Sequence, residues 1–164
     1  MANESNDLDG PVYVRKLIEN QMAARGYAVV PPPEVDEKLR AQGFTDGGQL
    51  GAASPEQLGQ WLDADGLFYS TLENFDYIDV GFYWQRRVTI KARLVNARTG
   101  EKVWEAERSW STRGVAVNKK EAERQFAIQL AAKAAEKMMH TPLQPESRMA
   151  VGELLRTLPI APYH

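Results

Sequence analysis

"ARLVNARTGEKVWEAERSW", residues 92–110, decides the architecture. Two alternating stretches flank the polar quartet Arg98-Thr99-Gly100-Glu101. In "YWQRRVTIKARLV" (83–95), Val88, Ile90, Ala92 and Leu94 share one side, and Arg87, Thr89, Lys91 and Arg93 the other. A period of two with one apolar and one wet side is the pattern of an antiparallel strand over a core. "KVWEAERSWS" (102–111) is its partner. Between them Gly100 supplies the positive φ that a tight reversal needs. The quartet therefore reads as a hairpin turn rather than a reactive group. Arg98 and Glu101 are expected to pair across it, a contact worth well under ~1 kcal/mol when exposed.

Upstream, "LFYSTLENF" (67–75) adds a third strand, which makes a meander. Val14, Leu17, Ile18 and Met22 form a helical stripe that Gly10-Pro11 opens and Gly26 closes. "YAVVP" (27–31) reads as a short buried strand stopped by Pro31, Pro32 and Pro33. A second helix over 33–43 turns Val35 and Leu39 inward. Ser54-Pro55-Glu56-Gln57 is a capping box that starts a third helix, with Leu58, Trp61 and Leu62. Residues 119–140 predict a long helix with Ala122, Phe126, Leu130, Ala134 and Met138 as its packed seam, and a short helix spans about 147–158. The sum is α+β: a small mixed sheet with a three-strand antiparallel meander and helices packed on one face. Residues 1–140 are expected to form a single α/β sandwich domain, and 141–164 a C-terminal helical extension and tail.

Composition narrows the function. The 164 residues carry a net charge of −2, with a pI near 5.8. That balance argues against a nucleic-acid partner, since phosphate binders concentrate basic charge. Without cysteine there is no disulfide, thiolate metal site or cysteine nucleophile. No apolar run approaches the roughly 18 residues of a membrane span, and "ANESNDLDG" after Met1 is not a signal sequence.

Catalytic patterns are weak. Gly43, Gly47, Gly48 and Gly51 lack the Lys-Ser/Thr or strand context of a phosphate cradle. His140 and His164 have no second imidazole at helical spacing. Asp63 with Asp65, and Glu73, Asp76 and Asp79, do not follow a calcium loop. Neither cofactor nor metal is expected. The aromatic stretch "NFDYIDVGFYWQRR" (74–87) stands out. Tyr77, Phe82, Tyr83 and Trp84 with Arg86 are candidate anchors of a protein interface. Core packing explains the same residues, because alternate strand positions must point inward.

Taken in order, "GYAVVPPPEVDEKLRAQGF", "ADGLFYSTLENF" and "VTIKARLVNARTGEKVWEAERS" resemble a family of bacterial proteins described as periplasmic lipoproteins, of unknown function. That family is distantly similar to CsgG, LpoB and the amino-terminal domain of TolB. The resemblance covers about residues 3–113. It implies a non-enzymatic envelope accessory protein that docks on protein partners of a transport or cell-wall assembly complex. It also implies a periplasmic location at the outer membrane, and membrane attachment only through a lipid anchor that this chain does not carry. The family pattern places an apolar strand and a lipobox cysteine ahead of Asn3-Glu4-Ser5-Asn6-Asp7, so that first strand is expected to be missing here. An open edge beside Tyr27 to Pro31 would follow, inviting strand addition or a homo-oligomer. A different reading is a small-ligand-binding domain or hydrolase that uses the carboxylates from Glu73 to Asp79.

Overall fold

The computed structural model describes residues 1–80, 82–116, 118–138 and 143–161. Among them one sheet runs in the order β1-β2-β3-β4: Ala2–Asn3, Gly66–Asp79, Tyr83–Asn96 and Lys102–Val115. β2, β3 and β4 are the antiparallel meander, and β1 pairs parallel to β2. The sheet is therefore mixed, as expected. The helices are α1 (Gly10–Ala23), α2 (Pro32–Ala41), α3 (Pro55–Leu62), α4 (Lys119–Met138) and α5 (Gln144–Leu155), with a 3₁₀ segment at Gly47–Ala52.

The quartet 98–101 is a turn. Asn96 Oδ1 accepts from the N–H groups of Arg98 (2.9 Å) and Thr99 (3.0 Å), and Gly100 has φ +71°. Arg98 does not pair with Glu101; its guanidinium lies 3.8 Å from Asp65, both fully in solvent.

Side-chain alternation assigns the two faces. Phe68, Leu72, Val88, Ile90, Ala92 and Leu94 share the face covered by α1 and α5. There Val14, Ile18 and Met22 meet Ala150, Val151, Leu154 and Leu155. α5 thus belongs to the main core. Leu67 and Tyr69, one residue out of phase with Phe68, join Leu58, Trp61 and Ala97 in a smaller cluster on the other face, so helices cover both faces of the sheet and not one as expected. The capping box that starts α3 is formed, with Ser54 Oγ accepting from Gln57 N–H (3.2 Å) and Gln57 Oε1 from Ser54 N–H (3.0 Å). A second box, Asp46 with Gln49, opens the 3₁₀ segment.

Two expectations are corrected. Tyr27–Pro31 is not a strand; it is irregular chain, with Tyr27, Val29 and Val30 half-buried. A strand is defined by a partner, and among the described residues none lies beside it. Most of the α4 seam faces outward: Phe126 and Leu130 are each 58% exposed and Ala134 is exposed, while Ala122 lies with Gln125, Gln129 and Ala132 on the less exposed side, and the Met138 side chain lies outside the described residues. α5 occupies the sheet face that this seam was expected to cover.

Leu154 is fully buried. Leu154→Ala should cost about 2–5 kcal/mol of stability, while Leu130→Ala on α4 should cost under about 0.5 kcal/mol. Urea denaturation of the two variants checks the assignment.

Candidate functional site

The hairpin joining β2 to β3 reaches beyond the core and carries the candidate residues. The structure separates them. Phe82 stands at the tip, 54% exposed, with Ile78, Val80 and Val115 exposed around it. Ala116 N–H donates to Phe82 O (2.8 Å) and Val80 N–H to Tyr83 O (2.9 Å), so the hairpin and the end of β4 form one continuous surface.

Tyr83 and Gln85 share the wet face, where Tyr83 Oη donates to Gln85 Oε1 (2.9 Å). Tyr77, Trp84 and Arg86 share the opposite face, because Tyr77 pairs with Arg86 and Asp79 with Trp84. Trp84 lies flat on Gly114: a Cβ there would come within 2.5 Å of Trp84 Nε1. Tyr77 Oη donates to Asp79 Oδ2 (3.1 Å), and Lys133 of α4 lies 5.2 Å from the Tyr77 ring centre. Burial pushes the Tyr77 phenol up, and the hydrogen bond to Asp79 and that carboxylate's charge add to the rise.

Arg86 points into the protein. It is 7% exposed, and its Nε lies 3.3 Å from Oε2 of the equally buried Glu146 on α5. It ties the hairpin to α5 and is not an accessible anchor. Its charge made it look like a surface residue, and its partner lies on a distant helix that the local pattern cannot reveal.

The acidic stretch is largely engaged. Asp76 pairs with the directly opposed Arg87 (2.7 Å), and Asp79 accepts from Tyr77. Burial raises the Glu73 carboxyl above its ordinary range, and the nearby Glu107 and Glu4 charges raise it further. No group of three or more metal-ligating side chains gathers among the described residues. His140 and His164 lie outside those residues.

The large cavity is elsewhere. About 840 Å³ opens at the start of β2, and neither Glu73, Asp76 nor Asp79 lines it. Its walls include Leu67–Ser70 of β2, Tyr27–Val30, Ile18 and Met22 of α1, and Val35, Leu39, Leu58 and Leu62 of α2 and α3. Two contacts hold these walls: Arg15 Nη1 bonds Asp36 at 2.7 and 2.8 Å, and Lys38 Nζ donates to Leu62 O (3.4 Å). Val35 and Leu39 do face inward, toward this space. Sequence reading named these residues but did not bring them together, because the cavity exists only where a predicted strand has no partner.

Removing one member of a buried ion pair strands the other. Arg86→Met should therefore cost about 3–5 kcal/mol, and Arg86→Met with Glu146→Leu should recover most of the loss. Urea midpoints of the single and double variants measure it.

Comparison with known proteins agrees with this fold. A lipoprotein from Neisseria meningitidis, GNA1162, has a crystal structure that superposes with a TM-score of 0.61 at 26% identity, covering 82% of this chain and 93% of that one. A PelC dodecamer from Paraburkholderia phytofirmans superposes with a TM-score of 0.55 at 13% identity, covering 94% and 81%. The curated "Putative lipoprotein NMB1124/NMB1162" of Neisseria meningitidis serogroup B is 30% identical over 102 residues, 62% of this chain. The match spans 47% of that relative's length. The model of one family matches residues 1–156, and the chain belongs to that family, described as "Putative lipoprotein GNA1162-like".

Proposed function

We propose that this protein is a non-enzymatic accessory module of the bacterial cell envelope that works by binding other proteins. Membership of a lipoprotein family supports the envelope setting. The finer location is the periplasm, at the outer membrane. The observation that carries the binding reading is the projecting hairpin, with Ile78, Val80, Phe82 and Val115 exposed together. Large apolar side chains grouped on a surface mark interaction sites, and aromatic residues are the usual energetic anchors. Phe82 and Tyr83 are the accessible anchors. Tyr77 and Trp84 shape the supporting face, and Arg86 holds the hairpin in place through Glu146. The partners belong to a transport or cell-wall assembly complex.

A second reading is self-association. The outward seam of α4, with Phe126 and Leu130, is the observation that favours it. PelC, whose fold is similar, forms a dodecamer. On this reading copies of the chain meet through α4, and sedimentation velocity of Phe126→Glu against the parent chain separates it from binding to a different protein.

A photo-crosslinking residue at Phe82 should capture a discrete envelope protein in intact cells. Tyr83→Ala in the same background should cut the yield at least fivefold without lowering the unfolding temperature. Undiminished capture would remove the hairpin from the binding surface.

A further inference from the structure

The exposed apolar side chains of the hairpin and those of α4 lie on opposite sides of the sheet. Directly opposed residues of neighbouring strands point to one face. Ile78 opposes Gln85 and Val115 opposes Tyr83, so Ile78, Tyr83 and Val115 share the wet face. Val115 is 70% exposed there. α4 approaches from the other side: Lys133 Nζ lies over the ring of Tyr77, which shares its face with the inward-pointing Arg86. In that position α4 leaves Phe126 and Leu130 in solvent. While Lys133 holds Tyr77, the helix cannot lay this seam on the wet face of its own hairpin.

The charges beside the two surfaces match. Arg113 opposes Gln85 and so borders Ile78 and Val115 on the wet face. Glu123 precedes Phe126 by one helical turn and borders the seam. Both are exposed, and neither has an ion-pair partner among the described residues. Lys133, the cation nearest the seam, is committed to Tyr77.

From this geometry we propose that copies of this chain associate head to tail: the Phe126–Leu130 seam of α4 on one copy docks on the wet face of the next copy's hairpin, against Ile78, Tyr83 and Val115. This rests on the self-association reading and supplies the surface that α4 meets. Apolar contact provides the affinity. Glu123 of one copy facing Arg113 of the other fixes the register. Each copy keeps one free seam and one free hairpin face, so the contact is heterologous. Addition therefore continues past the dimer until a ring closes.

Sedimentation velocity of the purified chain should show species larger than a dimer that grow with concentration. Phe126→Glu spoils the seam and Val115→Glu the hairpin face; both side chains are exposed, so the unfolding temperature should hold. Each variant alone should be monomeric. Mixed in equal amounts they should form a dimer that goes no further, because each pair holds one intact seam and one intact hairpin face. Arg113→Glu should weaken association about tenfold, since like charges then meet, and adding Glu123→Arg in the same chain should restore it.

Self-association of Val115→Glu would mean that seam meets seam; it would overturn the head-to-tail contact and leave the self-association reading standing. A mixture that stays monomeric, or a double charge reversal no better than Arg113→Glu alone, would also overturn the contact. Self-association of Phe126→Glu, or a parent chain that is monomeric at every concentration, would overturn both the contact and the reading it rests on.

Discussion

The ladder along β3 holds the molecule together. β3 is hydrogen-bonded on both sides, to β2 through Asp79↔Trp84 and Gly66↔Asn96 at its ends, and to β4 through Tyr83↔Val115 and Val95↔Lys102. Val88 and Ile90 at its centre are fully buried, and α1 and α5 pack over them. The outer strands have very different edges. β4 carries Lys102, Glu105, Glu107, Arg108 and Arg113, charges that discourage another strand from docking. The β2 edge over Gly66–Ser70 carries no charge and is bounded by apolar walls.

That constraint explains what could and could not be read from the residues. The meander was legible because alternation in Val88, Ile90, Ala92 and Leu94 is strict and Gly100 marks the reversal. The first helix was legible because Val14, Ile18 and Met22 repeat at helical spacing, and the start of α3 because Ser54 and Gln57 form a box. "YAVVP" misled because apolar β-branched composition reports a tendency to lie in a sheet, not the presence of a neighbour. α4 misled because helical periodicity identifies an apolar face without saying which element covers the core. α5 took that place, with Ala150, Val151, Leu154 and Leu155 more completely buried than Ala122, Phe126, Leu130 or Ala134 of α4. Arg86 was legible as a member of an aromatic cluster but not as a buried residue, since Glu146 is remote in the chain.

β2 connects the two surfaces of interest. Its first residues line the cavity, and its last ones rise into the hairpin with Phe82 at the tip. Between them a register shift at Leu72/Asn74 changes the twist of the strand. Both are attached to β3 through the same ladder of backbone pairs. The Arg86–Glu146 pair serves the same end, fastening the hairpin to the helix that closes the core.

The account turns on the direction in which β2's backbone groups point. Residue-resolved amide hydrogen exchange of the chain alone measures it directly. The account predicts that Leu67, Tyr69 and Thr71, which face β3, exchange slowly, while Phe68, between two of them, exchanges orders of magnitude faster. Equal protection of Phe68 and its two neighbours would mean that the edge is already filled, and would contradict the account.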